Sequence, residues 1–537
     1  EESRLACKAL EIIMRDLSPP PPPPPSSASC FYGYNAKSVV FCILFPLVLV
    51  SLGLFALDSR SYASWFSSYA SSLTRNATGS WGALSVSSRS SRGGSGRSYE
   101  GPVEFEKEVH TSGHGSYFSP VPVGAPSPAP EPAAPVFQGS TPNNTRRARI
   151  KDTKLERLEF GLARARAAIR EAARNPNRTA LVDKDYVPIG PVYRNAYAFH
   201  KSYLEMEKLF KVFVYEEGEP PIFHDGPCRS IYSTEGFFIN NMDMESRLRT
   251  RDPDRAHVFF LPFSVVRMVQ YIYPRDHHDM RPLRKTVLDY INLISGKYPF
   301  WNRSLGADHF MLSCHDWGPY ASGGHHHLFV NSIRVLCNAN TSEWFNASRD
   351  VSLPEMNVRS DVIKVGGPSA SGRPILAFFA GGNHGPVRPV LLKHWKGKDN
   401  DVQVHEYLPK GVSYVDLMKK SKFCLCPSGY EVASPRIMEA IYYECVPVTI
   451  NANYVLPLSD VLNWKAFSVQ VSVEDIPKLK NILMSISPRQ YIRMQRRVKT
   501  VQRHFMMNGP PQRFDLYHML LHSIWLRRLN IRIHLQD

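Results

Sequence analysis

From about Lys208 onward, short apolar runs alternate with longer amphipathic stretches, a pattern that predicts an α/β body. KVFVY (Lys211 to Tyr215), AHVFFLPF (Ala256 to Phe263) and DHFMLSC (Asp308 to Cys314) are strand-like, with helical stretches such as Leu283 to Ser295 between them. A second series begins after Pro374 with ILAFFAGG. It runs on through DVQVHEY, a helix over Ser413 to Ser421, and FCLCPSGYEVASPRIMEAIYYECVPVTI, which reads as strand, polar loop, helix and strand. Two such series predict two Rossmann-like domains facing a cleft, over 208–370 and 371–508. Tyr491 to Phe505 and Pro510 to Asp537 read as closing helices, the last filling 509–537.

The pattern upstream is different. Ser38 to Leu57 is an uncharged run about long enough to span a bilayer. It is too long, and too far along the chain, for a cleaved signal peptide, so it is read as a transmembrane signal anchor behind a cytosolic tail over 1–37. Met14 is the expected start, ahead of a proline run from Pro19 to Pro25. Residues 58–149 are rich in Ser, Gly and Pro and cannot bury a core, so a disordered stem is expected there. Within a helical neck over 150–207, Leu155, Leu158, Leu162, Ala165, Ile169 and Ala172 keep heptad spacing across 150–174. That stripe leaves two outcomes open: a short coiled coil joining a homo- or hetero-oligomer, or a helix packed on the body.

Charge narrows the ligands. With 65 Lys+Arg against 48 Asp+Glu, the chain favours anionic partners. No interleaved basic and aromatic module is visible, so nucleic acid is not expected among them. Six sequons, at Asn76, Asn143, Asn177, Asn302, Asn340 and Asn346, all follow the anchor and agree with a lumenal body. Cys228, Cys314, Cys337, Cys424, Cys426 and Cys445 could form disulfides without fixing a connectivity. Cys424 and Cys426 share one face of a strand and are expected as packed core thiols.

The chemistry concentrates at loop–helix junctions. Ser434 is placed to cap a helix that Pro435 opens, with Arg436 and Glu439 three apart on one face. An arginine there suits a phosphate, and a carboxylate one turn on suits sugar hydroxyls. The loop Gly381-Gly382-Asn383-His384-Gly385 ends another strand, and Pro386 opens a helix carrying Arg388. Glycines at such a junction let backbone N–H groups approach an anion, so Gly382, His384 and Arg388 join the donor side. Arg388 and Arg436 can then oppose a diphosphate from two sides, and no metal or other cofactor is expected. His315-Asp316 follows the strand of the first domain; Asp316 is the expected base, unless the pair merely fixes its loop. His224, Glu217 and the loop acid Glu431 are secondary candidates. Asp252-Pro253-Asp254, Asp399-Asn400-Asp401 and His325-His326-His327 follow no apolar strand or lack a spaced fourth ligand, and read as solvated loops.

With these segments in order, the chain resembles the exostosin-like glycosyltransferases, glycosyltransferase family 47, in their plant form, over roughly Lys208 to Arg528. KVFVYEEGEPPIFHDGP, AHVFFLPFS, DHFMLSCHDWGPYAS, LAFFAGGNHGPVR, VQVHEYLPKGVSY and SKFCLCPSGYEVASPRIMEAIYYECVPV carry the resemblance. It implies a single-pass type II Golgi membrane protein of GT-B fold, an inverting transferase moving a sugar from a UDP-sugar to a cell-wall polysaccharide or other glycan. It implies that Arg388 meets the diphosphate and that Ser434, Arg436 and Glu439 hold the nucleotide, with Glu439 on the ribose. After CVPV many relatives continue with an isoleucine pair and an acidic turn, where this chain has Thr449-Ile450-Asn451-Ala452-Asn453. That difference lies near the expected donor sugar. Glu444 also stands where a small residue is common. The other reading is a non-catalytic glycosyltransferase-like scaffold in a Golgi polysaccharide synthase complex.

Overall fold

The computed structural model describes residues 145–175 and 183–533, except 246, 275–278 and 359–364. The expected tail, anchor and nearly all of the stem lie outside them, as do Asn76, Asn143 and Asn177. Among the described residues, no helix is long and apolar enough to cross a membrane.

Two parallel sheets organise the body. The first contains β1 (Val212–Val214), β2 (Arg249–Thr250), β3 (Val258–Leu261), β4 (His309–Ser313), β5 (Ile333–Leu336) and β6 (Val351–Ser352), in the order β2-β1-β3-β4-β5-β6. Its side chains alternate between two apolar layers: Val212, Val214, Phe260 and Leu312 on one face, Phe213, Tyr215, Phe259 and Met311 on the other. A parallel sheet covered on both faces requires this near-continuous apolar sequence, and each buried aliphatic or aromatic chain contributes about 1.5–3 kcal/mol. The second sheet contains β7 (Ile375–Ala380), β8 (Val402–His405), β9 (Ser421–Pro427), β10 (Val446–Ile450) and β11 (Val469–Val471), ordered β11-β10-β9-β7-β8. The two parallel α/β lobes are consistent with a GT-B architecture.

Strands β2, β5, β6 and β11 are absent from the pattern reading, for local reasons. β2 and β6 are two residues long, and β11 carries an exposed Gln470. β5 contains Arg334, whose guanidinium is fully buried against Asp350 at 2.6 Å. An ion pair formed inside the fold thus lets a charged residue occupy a core strand, which no apolar-run criterion anticipates.

Helix α1 (Thr145–Arg174) begins before the expected neck. Leu155, Leu162 and Ala165 are buried, and Ile169 packs on the main core. Arg166 donates to the carbonyl of Ile531 at 3.1 Å, and Lys154 pairs with Asp254 at 2.9 Å. The heptad stripe therefore packs on the chain's own body, and the coiled-coil alternative loses its apolar seam.

The closing helix α2 (Leu516–Asn530) returns to the first lobe. Arg528 Nε donates to the His257 carbonyl at 2.7 Å, and Arg527 Nε donates to the Asp350 carbonyl at 3.0 Å.

Disulfides join Cys314 to Cys337 and Cys424 to Cys445. The expectation for Cys424 is corrected: parallel pairing of β9 with β10 brings it within a 5.8 Å Cα separation of Cys445. Cys426 is the buried thiol, its pKa pushed up to about 12 by burial.

Candidate active site

Strand order creates the crevice. The chain leaves β7 toward β8 and leaves β9 toward β10, so the loops after β7 and β9 diverge at the carboxyl ends of the strands. Such a reversal is where open α/β sheets bind ligands. Here it opens into a cleft of about 870 Å³ lined by both lobes.

The β7 loop meets the β9 loop backbone to backbone. Gly385 has φ 67°, and a Cβ there would stand 1.8 Å from the Gly429 carbonyl oxygen. Arg388 follows in the helix Val387–Trp395, 7% exposed, with Nη1 donating to the Gly382 carbonyl at 3.2 Å and Nε buried without a partner. Burial, and then the charge of Arg436, lower its pKa to about 10. Arg436 donates through Nε and Nη2 to the Ala380 carbonyl at 3.3 and 3.1 Å, and lies 5.0 Å over the Phe379 ring. A Cβ at Gly381 would come within 2.1 Å of its Nη2, so the missing side chain leaves room for the guanidinium. Neither arginine is ion-paired among the described residues. Two adjacent, partly desolvated cations with donors unfilled have the chemistry to receive an anion.

Glu439 lies one turn beyond Arg436 and accepts from the Tyr414 hydroxyl at 2.7 Å, both residues lining the cleft. Ser434 is buried, but its Oγ has no hydrogen-bond partner. The helix opens at Arg436 with Pro435 in the cap position, and only the Ser434 carbonyl takes part, accepting from Ile437 N at 3.2 Å. The expected side-chain cap is therefore not made. His384 and Tyr430 lie ring to ring at 5.3 Å and also line the cleft, with Gly382 beside them.

The facing wall is acidic. Asp316 lines the cleft beyond β4, and burial, reinforced by the charge of Glu343, raises its pKa to about 6. Its loop is pinned by the Cys314–Cys337 bridge and by Asn338, whose Nδ2 donates to the Asp316 carbonyl at 3.1 Å and to Glu343 at 3.0 Å. Glu431 reaches this group from the second lobe; burial and the charges of Glu343 and Asp316 push it up to about 8. Sequence reasoning missed Glu355, which is 7% exposed, lines the cleft, and is raised to about 8 by burial and then by Asp316. It sits in SLPEMN, beyond the short strand β6, where no local motif marks it.

Other candidates are placed elsewhere. His315 stacks on Tyr232 at 5.0 Å and accepts from Trp317 N at 3.1 Å; burial lowers its pKa to about 4. It is outside the cleft lining, as are Glu217 and His224. Glu217 accepts from Lys297 at 2.6 Å and from Tyr298 at 2.7 Å, and His224 Nδ1 lies 3.9 Å from Asp243. Asn302 and Asn346 are exposed, whereas the Asn340 amide is buried and donates to Glu343 at 3.1 Å. That geometry packs the Asn340 amide against Glu343. Asp399 and Asp401 both hold Lys480, at 2.7 and 2.9 Å. Among the described residues, no His, Cys, Asp and Glu cluster forms a metal-binding group.

The divergent turn after β10 ties the lobes. Thr341 N donates to the Asn453 carbonyl at 2.9 Å, and Val455 N donates to the Ala339 carbonyl at 3.0 Å. Asn451 to Asn453 do not line the cleft. Glu444, at φ 55°, turns inward and accepts from Gln495 at 3.1 Å.

Residues 206–486 match the Exostosin GT47 domain. The chain is 65% identical over 383 residues to the probable glycosyltransferase At5g03795 of Arabidopsis thaliana, covering 71% of this chain and 73% of that relative. It is 28% identical over 342 residues to the probable beta-1,4-xylosyltransferase IRX10 of Arabidopsis thaliana, covering 58% of this chain and 81% of the relative. It is 27% identical over 342 residues to the probable glucuronosyltransferase Os02g0520750 of Oryza sativa subsp. japonica, covering 58% and 77%.

Proposed function

Because the chain belongs to the exostosin GT47 family of glycosyltransferases, we propose that its cleft moves a sugar from a UDP-sugar to a hydroxyl of a cell-wall polysaccharide or related glycan, with inversion at the anomeric carbon. The observation that carries this reading is the pair Arg388 and Arg436, unpaired at the crevice of one lobe and faced across the cleft by Asp316. The nucleotide lies along the second lobe, with Glu439 accepting from the ribose and the diphosphate against the two guanidinium groups.

The acceptor oxygen attacks the anomeric carbon as the bond to the β-phosphate oxygen breaks. The acceptor's proton passes to Asp316 and the bonding electron pair leaves with UDP. Asp316 suits this role because a base with a pKa near the working pH is ionised yet still basic. Charge builds on the leaving diphosphate, where Arg388 and Arg436 are already oriented to receive it. Two fixed cations supply the counter-charge, so transfer is expected to persist in chelator. The disulfides support an oxidising compartment, in keeping with a lumenal Golgi body behind the expected anchor.

The test is calorimetry of UDP with the full-length protein, followed by UDP release from a panel of UDP-sugars and oligosaccharides. UDP should bind, and Arg436→Ala should weaken binding and reduce turnover about a hundredfold or more. Absence of UDP binding by the intact protein, or undiminished turnover by Arg436→Ala, refutes the reading.

A further inference from the structure

Glu355 lines the cleft but has no role in the transfer described above. Its side chain is 7% exposed and makes no hydrogen bond or ion pair with any described residue. The backbone on either side of it is anchored: Thr234 Oγ1 donates to the Pro354 carbonyl at 2.9 Å, and Ser233 Oγ donates to the Met356 carbonyl at 2.8 Å. The strongest charge interactions of Glu355 are with Asp316, then with Arg436 and Arg388. It shares one cleft lining with Asp316, Arg388 and Arg436.

That position has a chemical meaning if the nucleotide-sugar reading holds, on which this inference rests. In a displacement the anomeric carbon lies between the leaving phosphate oxygen and the attacking hydroxyl. A side chain that lines the same cleft as the phosphate clamp and the base is placed to meet the transferred sugar. We infer that Glu355 determines donor specificity by hydrogen bonding a hydroxyl of that sugar, and that the sugar is neutral. A largely desolvated carboxyl that opens only on the cleft gains from a hydroxyl, which both donates and accepts and so satisfies it in either protonation state.

Neutrality follows from where the cations are. Among the described residues, Arg388, Lys419 and Arg436 are the lysines and arginines lining the cleft, and all belong to the second lobe. The first lobe contributes Asp316 and Glu355 to the lining. Burial already holds Glu355 and Glu431 up at about 8, so this wall resists even its own ionisation. Once Arg388 and Arg436 are engaged by the diphosphate, a uronate carboxylate would add a desolvated negative charge with no further cation for it among the described residues of the first-lobe wall.

The experiment compares, on the full-length protein, the affinities of UDP, UDP-glucose, UDP-galactose and UDP-xylose with those of UDP-glucuronate and UDP-galacturonate. Each uronate should bind at least about tenfold more weakly than its neutral counterpart. Glu355→Leu should weaken the best neutral UDP-sugar about tenfold while leaving UDP within about twofold, and Glu355→Gln should retain most of the affinity. Uronates binding as well as neutral sugars overturn the inference, and their comparison in the unaltered protein does not depend on any variant folding. So does a Glu355→Leu protein that loses UDP and UDP-sugar equally, or neither. If UDP itself fails to bind the unaltered protein, the nucleotide reading falls and takes this inference with it.

Discussion

Both lobes reverse their strand order, yet they use the resulting crevices in opposite ways. In the second lobe the reversal lies between β7 and β9, and the donors around it remain open: among the described residues, Arg388 and Arg436 donate only to backbone carbonyls, and Arg436 lies over an aromatic ring. In the first lobe the reversal lies between β1 and β3, and the chain fills the neighbouring donors itself. The fully buried Glu235 carboxylate accepts from Ser264 Oγ, from Val266 N at 3.3 Å and from Cys314 N at 2.7 Å. Phe223 and Phe263 bridge across the same end of the sheet. A crevice set by topology becomes a binding site only where its donors are left unfilled.

The largest expected effect separates the two walls chemically. On the proposed mechanism, Asp316→Asn should reduce turnover about a hundredfold or more while UDP affinity, which that proposal assigns to the other lobe, stays unchanged in calorimetry. Loss of UDP binding in that variant would show that the division between nucleotide wall and base wall is wrong.

A middle-sized effect tests the filled crevice. Glu235→Ala leaves the buried Cys314 and Val266 N–H groups without their acceptor, so unfolding free energy should fall by about 1–3 kcal/mol or more. Denaturant melts measure this, and UDP affinity of the folded fraction should not change. An undiminished melting midpoint would mean that Glu235 does not hold the first lobe together.

The smallest effect is a shift in pH dependence. Asp316, raised to about 6, must be ionised to accept a proton, so kcat/KM should rise with pH through that value. Glu343 contributes to the raised pKa by its charge, and Glu343→Gln should move the rising limb to lower pH. Stability runs the other way. Asp316, Glu355 and Glu431 have folded pKa values above their unfolded ones, so the native state binds the extra protons. Their contribution is complete below the unfolded values and is lost as pH rises through about 6 and then about 8. Glu431→Gln should flatten the alkaline part of that loss in thermal melts.

The arginine-bearing wall of the cleft was legible in the chain because its signals are local. ILAFFA followed by glycines and Pro386, and FCLC followed by Ser434, Pro435 and Arg436, each place strand, loop and charge within a few residues. The acidic group facing it was legible only at Asp316 and Glu431. Glu355 depends on Ser233 and Thr234 holding a distant loop, and Asn340 looks like a sequon until the fold turns its amide onto Glu343. His315 looks like a partner of Asp316, but the loop directs its ring onto Tyr232.

The sequence by itself determined which segments become parallel strands, where the glycine loops interrupt them, and which arginines stand at the helix starts. Apolar period, turn chemistry and capping act over a few residues, so one chain segment suffices to read them. Only the tertiary structure decided which crevice stays open, which carboxylates face the arginines, that Cys424 bonds Cys445, and that the heptad stripe packs inward. Those outcomes depend on burial and charge shared by residues far apart in the chain, and such energies exist only once the lobes have packed.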